Sequence, residues 1–265
     1  MTARKTRTSY IAPRRAGAPD AVEQNAMASG AMDGISELAA DAAAASSAPR
    51  HHARAIAPII RAYDSLVVRA YCVLRFRIIR GRFLEEIRQF LPREGTVFEV
   101  GCGFGLFGLY FARVCPALRV LGVDVDERRI ALAEKARRRL GVENAAFDVG
   151  DARSVELPDE LDGCYMLDLL HHVPRPVAEA LIRQVYTRLR PGGVFVVKDV
   201  DTRPRYKMAF TWLLDVLMTR GELPRYWSAA DLTEALEREG FGVIRYAMVD
   251  LLPYPHQLYV CVKPR

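Results

Sequence analysis

No apolar run in this 265-residue chain reaches the length a membrane span needs, which argues against a bilayer-spanning helix. Cysteine is sparse and unpatterned. Cys72, Cys102, Cys115, Cys164 and Cys261 form no C-x-x-C pair, and an odd, scattered set argues against a disulfide framework and offers no zinc spacing. A reducing compartment and no metal are therefore expected. Arg4, Lys5 and Arg7 have no apolar segment after them, so no secretory leader is expected and the expected location is cytoplasmic. A transit peptide is the alternative for the first 19 residues, which carry basic groups and no acid. Internal repeats are also absent.

What is present is a globular composition with a basic balance. Half of the residues are apolar (51%), enough for one substantial α/β core with a tail or cap to spare. The net charge of +6 comes largely from arginine, much of it before Arg93. A positive balance suits nucleic acid, acidic lipid or an anionic small molecule and does not choose among them. Many basic proteins have no nucleic-acid role, and none is expected here. Residues 1–53 are rich in Ala, Ser, Gly and Arg. Such a segment buries too little apolar surface to offset its ordering entropy, so a disordered tail is expected.

From Pro58 to Phe90 apolar residues recur at helical spacing, among them Tyr63, Leu66, Tyr71, Leu74, Ile78 and Leu84, and Gly81 divides the run into two helices. Residues 54–92 thus read as N-terminal cap helices. Their polar face carries Arg61, Arg69, Arg75, Arg77, Arg80 and Arg82. It reads as a solvated helix face, or as a peripheral contact of residues 69–82 with an anionic membrane. From 93 to 265 the pattern alternates. Apolar runs at 97–100, 120–125, 145–149, 164–169 and 194–197 are separated by helical stretches such as 127–140 and 177–189. That alternation implies crossover units and a mainly parallel sheet. Residues 241–249 and 257–262 read as two further strands, joined by a turn at Pro253–Pro255 and hence antiparallel. A helix precedes them, with Ser228 as N-cap, Asp231 three residues on, and Gly240 closing it.

The richest stretch, Val97 to Gly108, reads VFEVGCGFGLFG: a strand, a glycine turn, then a helix from about Leu106. Glycine serves a turn hostile to a Cβ and lets a ligand approach the main chain. Gly103, Gly105 and Gly108 satisfy G-x-G-x-x-G, so a nicotinamide or flavin dinucleotide is one reading. Two carboxylates favour S-adenosylmethionine, and a third suits either ligand. Glu99, two residues before Gly101, would repel a pyrophosphate yet suits an ammonium and a sulfonium. Asp151, within Gly150-Asp151-Ala152, stands where a carboxylate accepts from an adenine amino group, although Asp after Gly also shapes turns. Asp124, ending the next strand, is placed to accept both ribose hydroxyls, as in dinucleotide sites too.

With those residues in view, the chain from about Arg93 onward resembles the class I S-adenosylmethionine-dependent methyltransferases, particularly a small-molecule, quinone-biosynthesis-like branch. The matching pieces are FEVGCGFG, GVDVD, GDA, DLLHHV and LRPGGVFVV, in that order and each at a strand end. The resemblance implies a Rossmann-like α/β fold with a seven-stranded sheet ordered 3-2-1-4-5-7-6 and strand 7 antiparallel. It implies S-adenosyl-L-methionine as cofactor, with Gly101, Cys102, Gly103 and Gly105 at the methionine part and Glu99 fixing the loop. Asp124 and Val125 would then meet the ribose, Asp151 and Ala152 the adenine, and Asp168 the methionine end. Tyr63, next to Asp64, resembles an early Tyr-Asp pair whose ring closes over the cofactor.

Methyl transfer is an in-line displacement, so the protein has to align the acceptor, exclude water and remove a proton where one must leave. His171 and His172, after the fourth strand, are the candidate bases; hydrogen bonding to the following loop is the plainer role for either. No Asn/Asp-Pro-Pro-Tyr stretch follows that strand, no Pro-Cys nucleophile occurs, and no second carboxylate adjoins Asp168 to suggest a catechol-metal site. A small molecule remains as acceptor. The insert at about 203–227, with Trp212 and Tyr226 as pocket candidates, is unusually apolar and aromatic, which suits a lipophilic or aromatic acceptor. Lys198, Asp199 and Asp201 are candidate pocket residues without a role. A non-catalytic cofactor-binding scaffold, docking RNA or membrane through its arginines, and a nicotinamide oxidoreductase stay open as alternatives.

Overall fold

Alternation of apolar side chains along each strand builds a sheet that must be covered on both faces. The computed structural model describes residues 50–79, 81–202, 225–247 and 256–265. Its strands are β1 (Gly95–Val100), β2 (Leu118–Asp124), β3 (Ala145–Val149), β4 (Leu161–Leu167), β5 (Leu189–Val200), β6 (Gly242–Ala247) and β7 (His256–Val262). They form one sheet in the order β3-β2-β1-β4-β5-β7-β6. β7 runs antiparallel to β5 and β6, and the other pairs are parallel, as expected. Tyr165 and Leu167 of β4 and Val194 and Val196 of β5 enter one core cluster; Cys164, Met166, Phe195 and Val197 enter the other.

The first face is covered by α1 (Arg50–Arg61), α2 (Leu66–Ile78), α3 (Gly81–Phe90), α4 (Leu106–Val114) and α5 (Glu127–Leu140). The second is covered by α6 (Arg175–Arg188) and α7 (Ala229–Arg238). Local signals set the ends. Asp126 caps α5 by accepting from the amides of Arg128 and Arg129, and left-handed Gly141 closes it. Ser228 Oγ accepts from Asp231 N at 3.1 Å to open α7.

Three elements differ from the sequence expectation. β5 starts at Leu189, well before Val194, because Gly192 and Gly193 pair with Lys263 in the C-terminal segment. The cap holds three helices where two were expected, since Ala62–Ser65 breaks the run and Ser65 caps α2. Finally, α1 begins inside the stretch assigned to the tail, so the boundary at 53 is too late. Ala55, Ile59 and Ala62, four and three apart, are all buried and explain why this segment is helical. The expected tail up to residue 49, most of the apolar insert (203–224) and the Pro253–Pro255 turn lie outside the described residues. No helix among the described residues is long and apolar enough to cross a membrane.

Candidate active site

The parallel strands β1, β2 and β4 end at one edge of the sheet, and the loops that follow them face one another across a crevice of about 220 Å³. Between β1 and α4 the chain turns through Gly101 and Gly103 in left-handed conformations, φ +78° and +55°. A Cβ at Gly101 would lie 2.9 Å from Leu169 Cδ1. At Gly103 the nearest atom would be Asp124 Oδ2 at 3.9 Å, so its bare side opens onto the crevice.

Several groups lock this loop. The amides of Gly101 and Cys102 both donate to Val123 O, at 2.8 and 2.9 Å. Asp124 Oδ2 accepts from Gly103 N at 2.8 Å, and its Oδ1 from Asp126 N at 3.0 Å. From the cap, Tyr63 donates its hydroxyl to Phe104 O at 2.6 Å. Behind the loop, Glu99 accepts from Tyr165 OH at 3.1 Å. Burial pushes the Glu99 carboxyl up to about 8, so near neutral pH it is largely protonated.

Opposite the loop lies a cluster of ionisable groups. Asp168, just past β4, holds a left-handed backbone (φ +59°) and continues the ladder by donating its amide to Lys198 O at 2.8 Å. Its carboxylate accepts from Lys198 Nζ and, at 3.2 Å, from Arg75 Nη2 of α2. Burial alone would raise the Asp168 carboxyl; Lys198 and Arg75 outweigh it and hold the group well below the usual carboxylate range. Beside this cluster, the 3-10 turn Leu170–His172 places His171 Nδ1 against Asp199 Oδ1. The His171 ring stacks on Tyr226, with centroids 5.5 Å apart. His256, at the start of β7, also lines the crevice; burial, then Lys198, depresses its basicity.

A family profile described as a methyltransferase domain matches residues 97–193, the stretch that carries the glycine loop, Asp124 and the turn after β4. Over that stretch the chain is similar to the class I S-adenosylmethionine-dependent methyltransferases. It is 31% identical over 110 residues to a ubiquinone biosynthesis O-methyltransferase of Pseudomonas putida, a match covering 41% of this chain and 46% of that one. With a fatty-acid O-methyltransferase of Mycolicibacterium smegmatis it shares 34% over 111 residues, 42% of this chain and 38% of the relative. The chain thus spans about half the length of the curated relatives it matches, or less. Among solved structures, the cyclase SpnF superposes with a TM-score of 0.57 at 19% identity, covering 69% of this chain and 80% of that one. That likeness is one of fold.

The crevice suits S-adenosylmethionine by its donor set. Gly103 leaves room for close approach to the main chain, and Asp124 keeps lone pairs beyond the two its amide partners use. Val125 and Val149, at the tips of β2 and β3, are exposed and do not line the crevice.

Gly101, Cys102, Gly103, Asp124, Asp168, His171 and His172 all line the crevice. Other expected residues stand elsewhere. Glu99 is buried behind the loop, where it accepts from Tyr165, and does not line the crevice, so it neither meets nor repels a ligand there. Tyr63 is not a pocket wall; it is 2% exposed and braces the glycine loop from behind. Gly105 caps α4 with its Cα packed towards Phe147 and Ala133. Asp151 turns one oxygen back to Arg153 N at 2.9 Å, shaping the loop after β3, and Ala152 packs on the core. Tyr226 backs His171, and Trp212 lies outside the described residues. Among the cap arginines expected on a solvated face, Arg75 points inward. Its position three residues after Cys72 and next to Phe76, on the buried stripe of α2, was the available signal. His256 had none beyond its place at a strand start.

Proposed function

We propose that this protein transfers the methyl group of S-adenosylmethionine to a small, lipophilic or aromatic acceptor. The observation that carries the reading is the convergence of the open glycine loop, Asp124 and the His171–Asp168 cluster on one crevice. In this reading the main chain at Gly101–Gly105 receives the methionine part, and Asp124 with Val125 the ribose. Asp151 and Ala152 border the adenine, and Asp168, fixed by its two cations, the methionine end. His171 and His172 are the residues in reach of an acceptor proton. Ile78, Phe104, Leu106, Phe107 and Leu169 give the crevice an apolar lining, which supports a lipophilic acceptor. Relatives named for ubiquinone biosynthesis and for fatty acids support the same class.

Because a cyclase shares the fold, the reaction has to be tested directly. Full-length protein is incubated with methyl-labelled S-adenosylmethionine and a lipid-plus-polar metabolite extract. Label is expected in an organic-soluble product, and no labelled product above a protein-free control overturns the reading. Contact with an anionic membrane is a further part of the proposal. Leu66, Val67 and Leu74 are exposed on α2, and Arg61 and Arg77 are exposed near its two ends.

A further inference from the structure

The crevice has two halves. Strands β2, β1, β4, β5 and β7 stand side by side in that order. The wall at Asp124, Gly103 and Gly101, past the ends of β2 and β1, is the part assigned above to the cofactor. Beyond Asp168 the wall continues through Val200 at the end of β5 to His256 at the start of β7, and Ile78 of α2 also lines the crevice. An acceptor has this second half left to it, and His256 is the polar side chain that β7 brings there.

Two contacts fix the place of His256. Main-chain pairing sets it opposite Val200 in the β5–β7 ladder. The Phe83 ring of α3 meets the imidazole edge-on, with centroids 6.5 Å apart. At 2% exposure the ring is withdrawn from bulk water although it forms part of the crevice wall. We propose that His256 is the acceptor-recognition residue: its imidazole forms a hydrogen bond with a hydroxyl or carbonyl of the acceptor and selects against a carboxylate at that place. The proposal rests on the methyl-transfer reading above. Within it, the acceptor class narrows to a lipophilic molecule with an uncharged polar head, such as an alcohol, a phenol or a ketone.

A proton on this ring is disfavoured by burial and by Lys198 of β5, then by Arg75 of α2 and His171, against the opposing pull of Asp168. The imidazole therefore stays neutral near pH 7, with one N–H to donate and one nitrogen that accepts. A hydroxyl matches both functions and a carbonyl matches the first. A carboxylate would give up water for a neutral donor, without the opposite charge that a buried anion needs. The neighbouring cations are committed elsewhere, since Arg75 and Lys198 both donate to Asp168.

The test uses full-length protein saturated with S-adenosylhomocysteine and two probes at pH 7: 4-hexylphenol, which is uncharged, and decanoate, an anion of similar length. In calorimetry 4-hexylphenol should bind more tightly than decanoate by about tenfold or more. His256→Leu should weaken 4-hexylphenol binding by about tenfold or more, whereas His256→Gln, which keeps a neutral donor and acceptor, should stay within about threefold of wild type. Both variants should retain wild-type affinity for S-adenosylhomocysteine. In histidine NMR of the wild type, 4-hexylphenol should shift the His256 ring resonances. Decanoate binding as tight as 4-hexylphenol, no binding of 4-hexylphenol, or unmoved His256 resonances would overturn the proposal. So would unchanged 4-hexylphenol affinity in His256→Leu, a Gln variant as weak as the Leu variant, or a parallel loss of S-adenosylhomocysteine binding. Label transfer to the extract separates this from the reaction itself: a labelled product beside any of those results leaves methyl transfer standing, and no labelled product overturns both.

Discussion

Replacing Asp168 by Asn removes one negative charge from between two cations while leaving the local shape nearly intact. Asn tolerates the left-handed backbone that Asp168 adopts (φ +59°) and still offers one oxygen to Lys198. Lys198 is 1% exposed, whereas Arg75, at 17%, can turn outward. Taking one partner from a buried pair costs about 3–5 kcal/mol, and the partial exposure of Asp168 and Arg75 puts the expected loss near about 3 kcal/mol. Urea unfolding at pH 7 of wild type, Asp168→Asn, Lys198→Met and the double variant measures it. The double variant should recover most of the loss, since the buried cation is gone and the remaining one, Arg75, is the more exposed of the two. The carboxyl of Asp168 is held low in the folded state, so its contribution is complete above the ordinary carboxylate range. It fades as pH falls towards the depressed folded value, and the gap between wild type and Asp168→Asn should close with it. A loss under about 1 kcal/mol at pH 7, or no recovery in the double variant, would refute the reasoning.

Glu99 titrates in the opposite sense. Its folded carboxyl is raised to about 8, so the associated stability is complete below about 4.5 and is lost as pH rises towards 8. Glu99→Gln should flatten the stability profile between pH 5 and 8, and parallel urea-derived curves would contradict this. Asp124→Asn, which changes the charge at the proposed ribose contact, should weaken S-adenosylhomocysteine binding by about 10- to 100-fold in calorimetry; unchanged affinity removes that assignment. Deleting residues 1–49 should leave the melting temperature nearly unchanged, whereas deleting 1–65 also takes away buried Ala55, Ile59 and Tyr63 and should lower it sharply. Leu66→Ser with Leu74→Ser should reduce co-sedimentation with vesicles containing phosphatidylglycerol if α2 meets membrane; equal binding by wild type and variant speaks against it.

Much of the fold was legible because its signals are local. Strand-length apolar runs, the glycine turn after β1 and the caps at Asp126 and Ser228 are each written within a few residues, and they place the crevice at the ends of β1, β2 and β4. What escaped was decided by distant partners. β5 is long because Gly192 and Gly193 meet Lys263, a pairing no local window contains. Arg75 faces Asp168 across 93 positions of sequence, so a count of arginines along α2 could not separate it from its solvated neighbours. Glu99 occupied the expected position, yet its ionisation depends on how deeply α4 and Tyr165 enclose it, which no motif records.

The hydroxyl of Tyr63 touches the glycine loop 41 positions downstream, and this joins two regions that would otherwise respond separately. Whatever steadies Phe104 from the crevice side must, by reciprocity, steady the link between α1 and α2. A ligand would then be felt at Ala62–Ser65 as slower proteolytic nicking. A modification that loosens the first helix would in turn be read at the crevice as weaker affinity.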